Sequence, residues 1–132
     1  MAIVGILASV AYPSYQNHVT KTHRVNAEGS LLELSQYMEK FYTETTGGYD
    51  SNPFSLPFSQ SPNDGSAAKY NITVTRATNS YTLTATPTSA QNDPNCGALT
   101  LNSVGVKCIN GSTTQCSNST TQSVIKQVNS CW

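Results

Sequence analysis

MAIVGILASVAYPSY (Met1–Tyr15) opens the chain as an apolar run whose only conventional polar residue before Tyr12 is Ser9. The run is shorter than the about 20 residues with which a helix crosses a bilayer. A buried core helix and the apolar part of a signal peptide are the two plain interpretations. No basic residue precedes the run, and a helical pattern resumes directly after Pro13, so the sequence disfavours a signal peptide.

Beyond Pro13 the sequence predicts a long amphipathic helix that continues to about Thr45. Its apolar residues recur at intervals of three and four, and Gly47-Gly48 ends the pattern as a C-cap does. Gly5 and Pro13 are weak points, because glycine is a poor helix former and proline lacks the amide hydrogen of the helical ladder. We therefore expect kinking or melting between them. We expect one apolar stripe of this helix to be buried in the core of the globular part of the chain. It consists of Leu31, Leu34, Met38, Phe41 and Tyr42, with Val25 at its start.

Residues 49–68 are rich in Pro, Ser, Asn and Gly, and this composition predicts a surface loop rather than a helix or a central strand. Phe54, Leu56 and Phe58 are the side chains expected to hold the loop to the core.

An alternation of β-branched or aromatic residues with polar ones then predicts two strands, Lys69–Ala77 and Ser80–Thr86, joined by a hairpin turn at Thr78-Asn79. A third strand is predicted at Gly97–Lys107, with Gly105 as a bulge or turn within it, and a fourth strand at Ser123–Val128. The expected fold class is α+β, with a long N-terminal helix packed on a roughly four-stranded antiparallel sheet.

The composition limits the kinds of partner. With 132 residues the chain holds one domain and one modest core. Seven Lys and Arg balance seven Asp and Glu, so the formal net charge is zero. Such a chain lacks the basic field that holds nucleic acid, and because its cations are scattered we expect no direct DNA binding.

Four cysteines lie in the last third of the chain. An even set in a small Ser/Thr/Asn-rich domain predicts disulfides formed in an oxidising compartment. We favour Cys108–Cys116, which closes a short polar excursion, together with Cys96–Cys131, which ties the chain end to a strand. Cys96–Cys108 with Cys116–Cys131 stays open. The polar segment Asn110–Gln122 is either a recognition surface or a solvated tip.

The sequence carries no evident catalytic or metal-binding pattern. The cysteines form no CxxC pair, and His18 and His23 lie far upstream on the predicted helix, which argues against a zinc site. No phosphate-binding glycine loop or paired-carboxylate motif occurs. Asp64 and Asp93 stand beside Gly and Pro, where turn capping accounts for them. We expect neither enzymatic activity nor a cofactor.

GILASVAYPSYQNHV (Gly5–Val19) resembles the second half of the N-terminal helix of type IV pilins, in which a Gly-Ile-Leu-Ala core leads to Pro-x-Tyr and a polar stretch. LLELSQYMEKFYTETTGGYD (Leu31–Asp50), CGALTLNSVGVK (Cys96–Lys107) and the terminal Cys131-Trp132 resemble minor pilins of the same family. Since these patches run in order from one end of the chain to the other, the chain is identified as a member of the type IV pilins.

This resemblance implies a structural pilus subunit that polymerises into an extracellular filament on a bacterial surface, serving adhesion, twitching motility or DNA uptake. The implied partners are copies of itself and other pilins, after a stage in the inner membrane at the assembly platform. Residues 1–24 would form the protruding hydrophobic half of the helix. The head would comprise helix 25–46, loop 47–68 and the sheet with its disulfide-bonded region, 69–132. The implied filament-core residues are Ile3, Val4, Ile6, Leu7, Val10 and Tyr12, and Gly5–Pro13 would extend in the filament.

Two other assignments stay open: a minor pilin that primes assembly or binds a ligand such as DNA, and a pseudopilin of a secretion system. Pilin precursors carry a basic leader, a Gly–Phe cleavage site and an acidic assembly residue, none of which precedes Met1. We therefore expect the chain to begin inside the mature helix.

Overall fold

A long helix packed on a five-stranded antiparallel sheet forms the protein in the computed structural model, which describes residues 2–132. The strands follow one another in the sheet in chain order, and each is antiparallel to the next. The elements are α1 (Ala2–Glu44), β1 (Gln60–Ser61), β2 (Tyr70–Ala77), β3 (Ser80–Pro87), β4 (Leu99–Asn102), β5 (Lys107–Cys108) and α2 (Gln122–Cys131). This is the predicted α+β class, with one more strand than expected.

Helix α1 runs unbroken for 43 residues and includes Pro13. At about 1.5 Å per residue it is roughly 65 Å long, longer than the sheet is wide. Within residues 2–132 no helix combines the length and apolarity that crossing a membrane requires. The extension of Gly5–Pro13 concerns the assembled filament and stays a prediction.

The core lies between the middle of α1 and the inner face of the sheet. Leu31, Leu34 and Met38 are fully buried, and Ala27 lies with them one turn earlier. The sheet contributes side chains that alternate inward along its strands, as a half-buried antiparallel sheet does. They are Tyr70, Ile72, Tyr81, Leu83, Ala85, Leu99 and Leu101.

Three members of the predicted stripe lie elsewhere. Val25 is 52% exposed, because two residues before Ala27 correspond to a rotation of about 200° around the helix. Tyr42 is 40% exposed and stacks on Tyr49 with 4.6 Å between ring centroids. Phe41 is half-buried and packs edge-on against Phe54 at 5.1 Å. The last turn of α1 therefore meets the following loop instead of the sheet.

That loop is held to the core as expected, since Phe54, Leu56 and Phe58 pack against it while partly buried. The Arg76 guanidinium lies 3.9 Å from the centroid of Phe54 and donates hydrogen bonds to two loop carbonyls, at 2.9 and 3.0 Å. Gly48 adopts a positive φ of 85°, and a Cβ there would collide with the carbonyl oxygen of Thr78. A glycine is therefore required where the chain leaves the helix.

The β2–β3 hairpin has the expected two-residue turn, with Ala77 paired to Ser80. The segment predicted as a strand at Gly97–Lys107 forms two strands, β4 and β5, and the turn expected at Gly105 separates them, with a positive φ of 82° at that glycine. In that turn the side-chain oxygen of Asn102 accepts the amides of Val104 and Val106 at 3.1 and 2.9 Å. Asparagine side chains readily accept hydrogen bonds from backbone amides a few residues further on, and such bonds favour a turn over a continuous β-strand.

The strand predicted at Ser123–Val128 is wrong, because the segment lies in helix α2. Val128 and Cys131 are buried and Val124 is partly buried, a spacing of four and three residues that fits one helix face. The β-branched residues of the segment favour a strand. The disulfide from Cys131 to Cys96 holds the segment against the core, where it forms a helix instead.

Candidate functional site

The first part of α1 is an uncovered apolar surface. Its large side chains are each about two-thirds exposed or more: Ile3 73%, Val4 70%, Ile6 67%, Leu7 67%, Val10 72% and Tyr12 66%. Covering each such side chain contributes about 1.5–3 kcal/mol, so the set represents on the order of 10 kcal/mol of unused apolar burial. These are the residues assigned to the filament core from the sequence, and that role stays a prediction.

The exposed apolar surface continues along α1 on the side that faces away from the sheet. Val25 is 52% and Leu32 45% exposed, and seven residues separate them, so they lie on one helix face. Gly29 lies between them, and a Cβ added there would meet nothing within 4 Å, which leaves room for a close neighbour. An apolar stripe with a small residue at its centre is suited to helix packing.

The loop between β3 and β4 contacts α1 through an ion pair and hydrogen bonds, near the point where the helix extends beyond the sheet. Arg24 Nε lies 2.6 Å from Asp93 Oδ2, and the two side chains are only 12% and 2% exposed. The side-chain amide of Gln91 donates through Nε2 to the Thr20 carbonyl at 2.9 Å and to the Tyr70 hydroxyl at 3.1 Å. The loop between β3 and β4 therefore fixes the direction of the helix relative to the head.

Tyr70 completes this cluster by donating its hydroxyl to Asp93 Oδ2 at 3.3 Å. Burial raises the pKa of Tyr70 to about 12, so the hydroxyl remains a donor at physiological pH. Asp93 caps its turn as expected, because its Oδ1 accepts the backbone amide of Cys96 at 3.4 Å, and its Oδ2 has in addition a buried partner on α1 that lies 69 residues away. Asp64 also caps its turn, because it accepts the Ser66 amide at 3.0 Å. A hydrogen bond from the Ser66 side chain lowers the pKa of Asp64.

The structure pairs Cys96 with Cys131 and Cys108 with Cys116. Cys96 and Cys131 belong to the buried core and attach α2 to it. Cys108 is paired in the sheet with Thr100, whose side chain points away from α1, and Cys116 bridges Cys108 beside β5, so the second disulfide lies on the outer face and closes residues 109–115 into a loop at that edge. The two bonds therefore act on opposite sides of the sheet.

Few cations are free for a partner. Arg24 is paired with Asp93, Arg76 is held by loop carbonyls, and Lys40 lies 3.8 Å from Glu44 on the helix surface. Lys107 Nζ lies 5.1 Å from the centroid of the Trp132 ring, whose indole donates to the Cys108 carbonyl at 3.2 Å. Within residues 2–132 no group of three or more His, Cys, Asp or Glu could hold a metal ion.

The geometry therefore offers an uncovered apolar helix surface and a head with few free cations, and comparison with known proteins bears on both. The family whose sequence profile matches residues 13–100 is described as "Type IV minor pilin ComP, DNA uptake sequence receptor". None of the curated proteins matches the sequence significantly.

Two solved structures share the fold. A type IV pilin from Shewanella oneidensis is 24% identical, with a TM-score of 0.52, and the match covers 70% of this chain and 94% of the pilin. The non-core minor pilin PilV of Neisseria meningitidis is 21% identical, with a TM-score of 0.56, and the match covers 74% of this chain and 92% of PilV. At these identities the likeness is one of fold.

Proposed function

The chain belongs to this family of type IV minor pilins, and from that premise we propose that it is a minor pilus subunit whose head takes part in binding duplex DNA. Its role as a pilus subunit follows from the family, and the family and fold are those of structural proteins. Its assignment as a minor rather than a major subunit, and DNA as its ligand, are the two parts that we propose. The observation that carries the proposal is the family match across residues 13–100, which include α1 from Pro13 onward and strands β1 to β3.

Assembly would rest on the uncovered part of α1. In the inner membrane lipid surrounds the apolar side chains, and in the filament the helices of other pilins replace it. Six side chains that are 66–73% exposed in the single chain would then be covered. The stripe of Val25, Gly29 and Leu32 extends this packing surface past the point where the head begins, beside the N-terminal helices of neighbouring subunits.

A charge placed on this surface tests the assembly step. We expect Leu7→Asp to remove the chain from sheared filaments, because a carboxylate would be buried without a partner. Since Leu7→Asp also disturbs the membrane stage, Val25→Asp provides a second variant beyond the apolar run. Asn79→Asp, in the exposed β2–β3 turn, is the matched control for added charge. Normal incorporation of both helix variants would refute this packing surface.

DNA binding by this chain would depend on few charges. The family description supports a DNA receptor, whereas the sequence-based expectation from the neutral net charge opposes one. With Arg24, Arg76 and Lys40 engaged, the cations left for phosphates are Lys21, Lys69, Lys107 and Lys126. The logarithm of affinity against the logarithm of salt should therefore have a slope no steeper than about −3.6.

The test is fluorescence anisotropy of labelled duplex DNA with the full chain in detergent, across a series of salt concentrations. We expect binding at low salt, with Lys126→Gln reducing the slope by about 0.9 if that lysine contacts a phosphate. Lys40→Gln is the matched control, because Lys40 already pairs with Glu44. Absence of binding at low salt would refute the DNA proposal and leave pilus assembly unaffected.

A further inference from the structure

A cleft of about 320 Å³ lies on the outer face of the sheet, on the side opposite α1. Its floor consists of threonines from β3 and β4, and its wall is formed by residues 111–113, in the loop that the Cys108–Cys116 disulfide closes, and by Asn118. The strand register aligns Thr84 with Thr100, and Thr100 with Cys108, in one row across three strands. The cleft therefore results from the outward direction of Cys108.

None of the residues that line the cleft carries a charge. The polar groups are hydroxyls and amides, and Val106 and the threonine methyl groups supply apolar surface between them. The wall is preorganised, since the Ser112 hydroxyl oxygen accepts the amides of Thr114 and Gln115 at 3.1 and 3.3 Å.

The floor retains free hydrogen-bonding capacity. Within residues 2–132 the hydroxyls of Thr82, Thr84 and Thr100 make no hydrogen bond to the protein, although the side chains are half-buried. A hydroxyl both donates and accepts, so this floor complements a ligand whose own groups do both. An ionised ligand would lose its hydration here without meeting an opposite charge.

We propose that this cleft is a binding site for a neutral, polyhydroxylated ligand, the end group of a saccharide. The volume lies at the lower end of the range for small-molecule sites, which suits an end group rather than a long chain. The site lies on the face opposite the helix that serves assembly, so it stays accessible when α1 is covered. It uses none of the cations that duplex DNA requires, and it is independent of the proposed DNA binding.

Nuclear magnetic resonance titration of the isotope-labelled full chain tests the site, in a detergent without a sugar headgroup that would compete. The probes are lactose, maltose and N,N′-diacetylchitobiose, with sialyllactose and a short DNA duplex as anionic comparisons. We expect saturable shifts with at least one neutral disaccharide at millimolar concentration, confined to amides around the cleft, such as those of Thr84, Thr100 and Asn118.

Thr84→Val and Thr100→Val remove hydroxyls that have no protein partner, so both variants should fold. Each should weaken binding about fivefold to tenfold, the effect of one hydrogen bond. Thr73→Val is the matched control: Thr73 is paired with Thr84 on the same face but lies outside the cleft.

Three results would overturn the proposal: no shift with any of the neutral disaccharides, an equal loss in Thr73→Val, or tighter binding of an anionic probe in the cleft. Duplex DNA binding in a sample that shows no saccharide shifts would leave the DNA proposal standing and refute this one alone.

Discussion

Breaking the buried ion pair between Arg24 and Asp93 should destabilise the head far more than removing a surface charge does. We consider Asp93→Leu, Arg24→Met and the double variant, each of which replaces a charged side chain with an apolar one of similar size. Asp64→Asn is the control, because Asp64 is an exposed carboxylate in a turn.

The magnitude follows from the burial of the two partners. The side chains are 12% and 2% exposed at a separation of 2.6 Å, so removal of either one leaves a charge in the protein interior. A broken buried pair of this kind costs about 3–5 kcal/mol. Loss of Asp93 also leaves Tyr70 without an acceptor at 3.3 Å. In the double variant no charge is stranded, so its loss should fall short of the sum of the single losses by about 2–3 kcal/mol.

The assay is urea unfolding of the full chain with its disulfides intact, followed by the fluorescence of Trp132, the single tryptophan. Because a domain is stable by only about 5–15 kcal/mol, the single variants should show clearly lowered midpoints. A loss below about 1 kcal/mol in both would mean that the pair behaves as an exposed one and would refute the reasoning. Strict additivity in the double variant would do the same.

The disulfides differ in loop length, with separations of 35 and 8 residues, so replacing Cys96 and Cys131 by Ala should cost about 4 kcal/mol and replacing Cys108 and Cys116 about 2.5 kcal/mol; equal urea midpoints would contradict this. Gly48→Ala should lower the thermal midpoint more than Gly65→Ala. Both glycines have a positive φ, which costs an alanine about 1–2 kcal/mol, but only at Gly48 would the added Cβ also meet a carbonyl oxygen. Burial raises the pKa of Glu28, partly offset by nearby cations, so the folded state holds this proton more tightly and stability falls as pH rises through the window above the ordinary glutamate value. Glu28→Gln should therefore be more stable than the parent at about pH 7 and no different below about pH 4; the same midpoint difference at both pH values would contradict a raised pKa for this half-buried carboxyl.

Local patterns predicted those elements whose conformation their own residues decide. The β2–β3 hairpin alternates inward and outward side chains around a turn of two polar residues, so both strands and their junction could be predicted. The middle of α1 repeats its apolar residues at helical spacing, and three of them are fully buried.

The predictions failed or were incomplete where contacts between residues far apart in the sequence determine the structure. Ser123–Val128 has strand-like residues, but the bond of Cys131 to Cys96 and the buried side of Val128 favour a helix. The turn-capping bond of Asp93 could be predicted locally, but its ion-pair partner lies 69 residues away on α1, and no local signal indicates that pair. A prediction of the outer-face cleft would have required the direction of Cys108, which depends on the register of β5 with β4.

Charge placement separates the forces behind assembly and DNA binding. Residues 1–20 hold no Asp, Glu, Lys or Arg, so the packing of the uncovered part of α1 would depend on apolar burial, which salt screens little and sulfate strengthens. DNA binding would depend on a few lysines of the same chain, and its affinity must fall as salt rises. Raising the salt concentration should therefore release DNA from intact filaments before it dissociates them. Filaments that fall apart at the salt concentration at which DNA is released would mean that charges on the heads, rather than the helix surface, hold the subunits together.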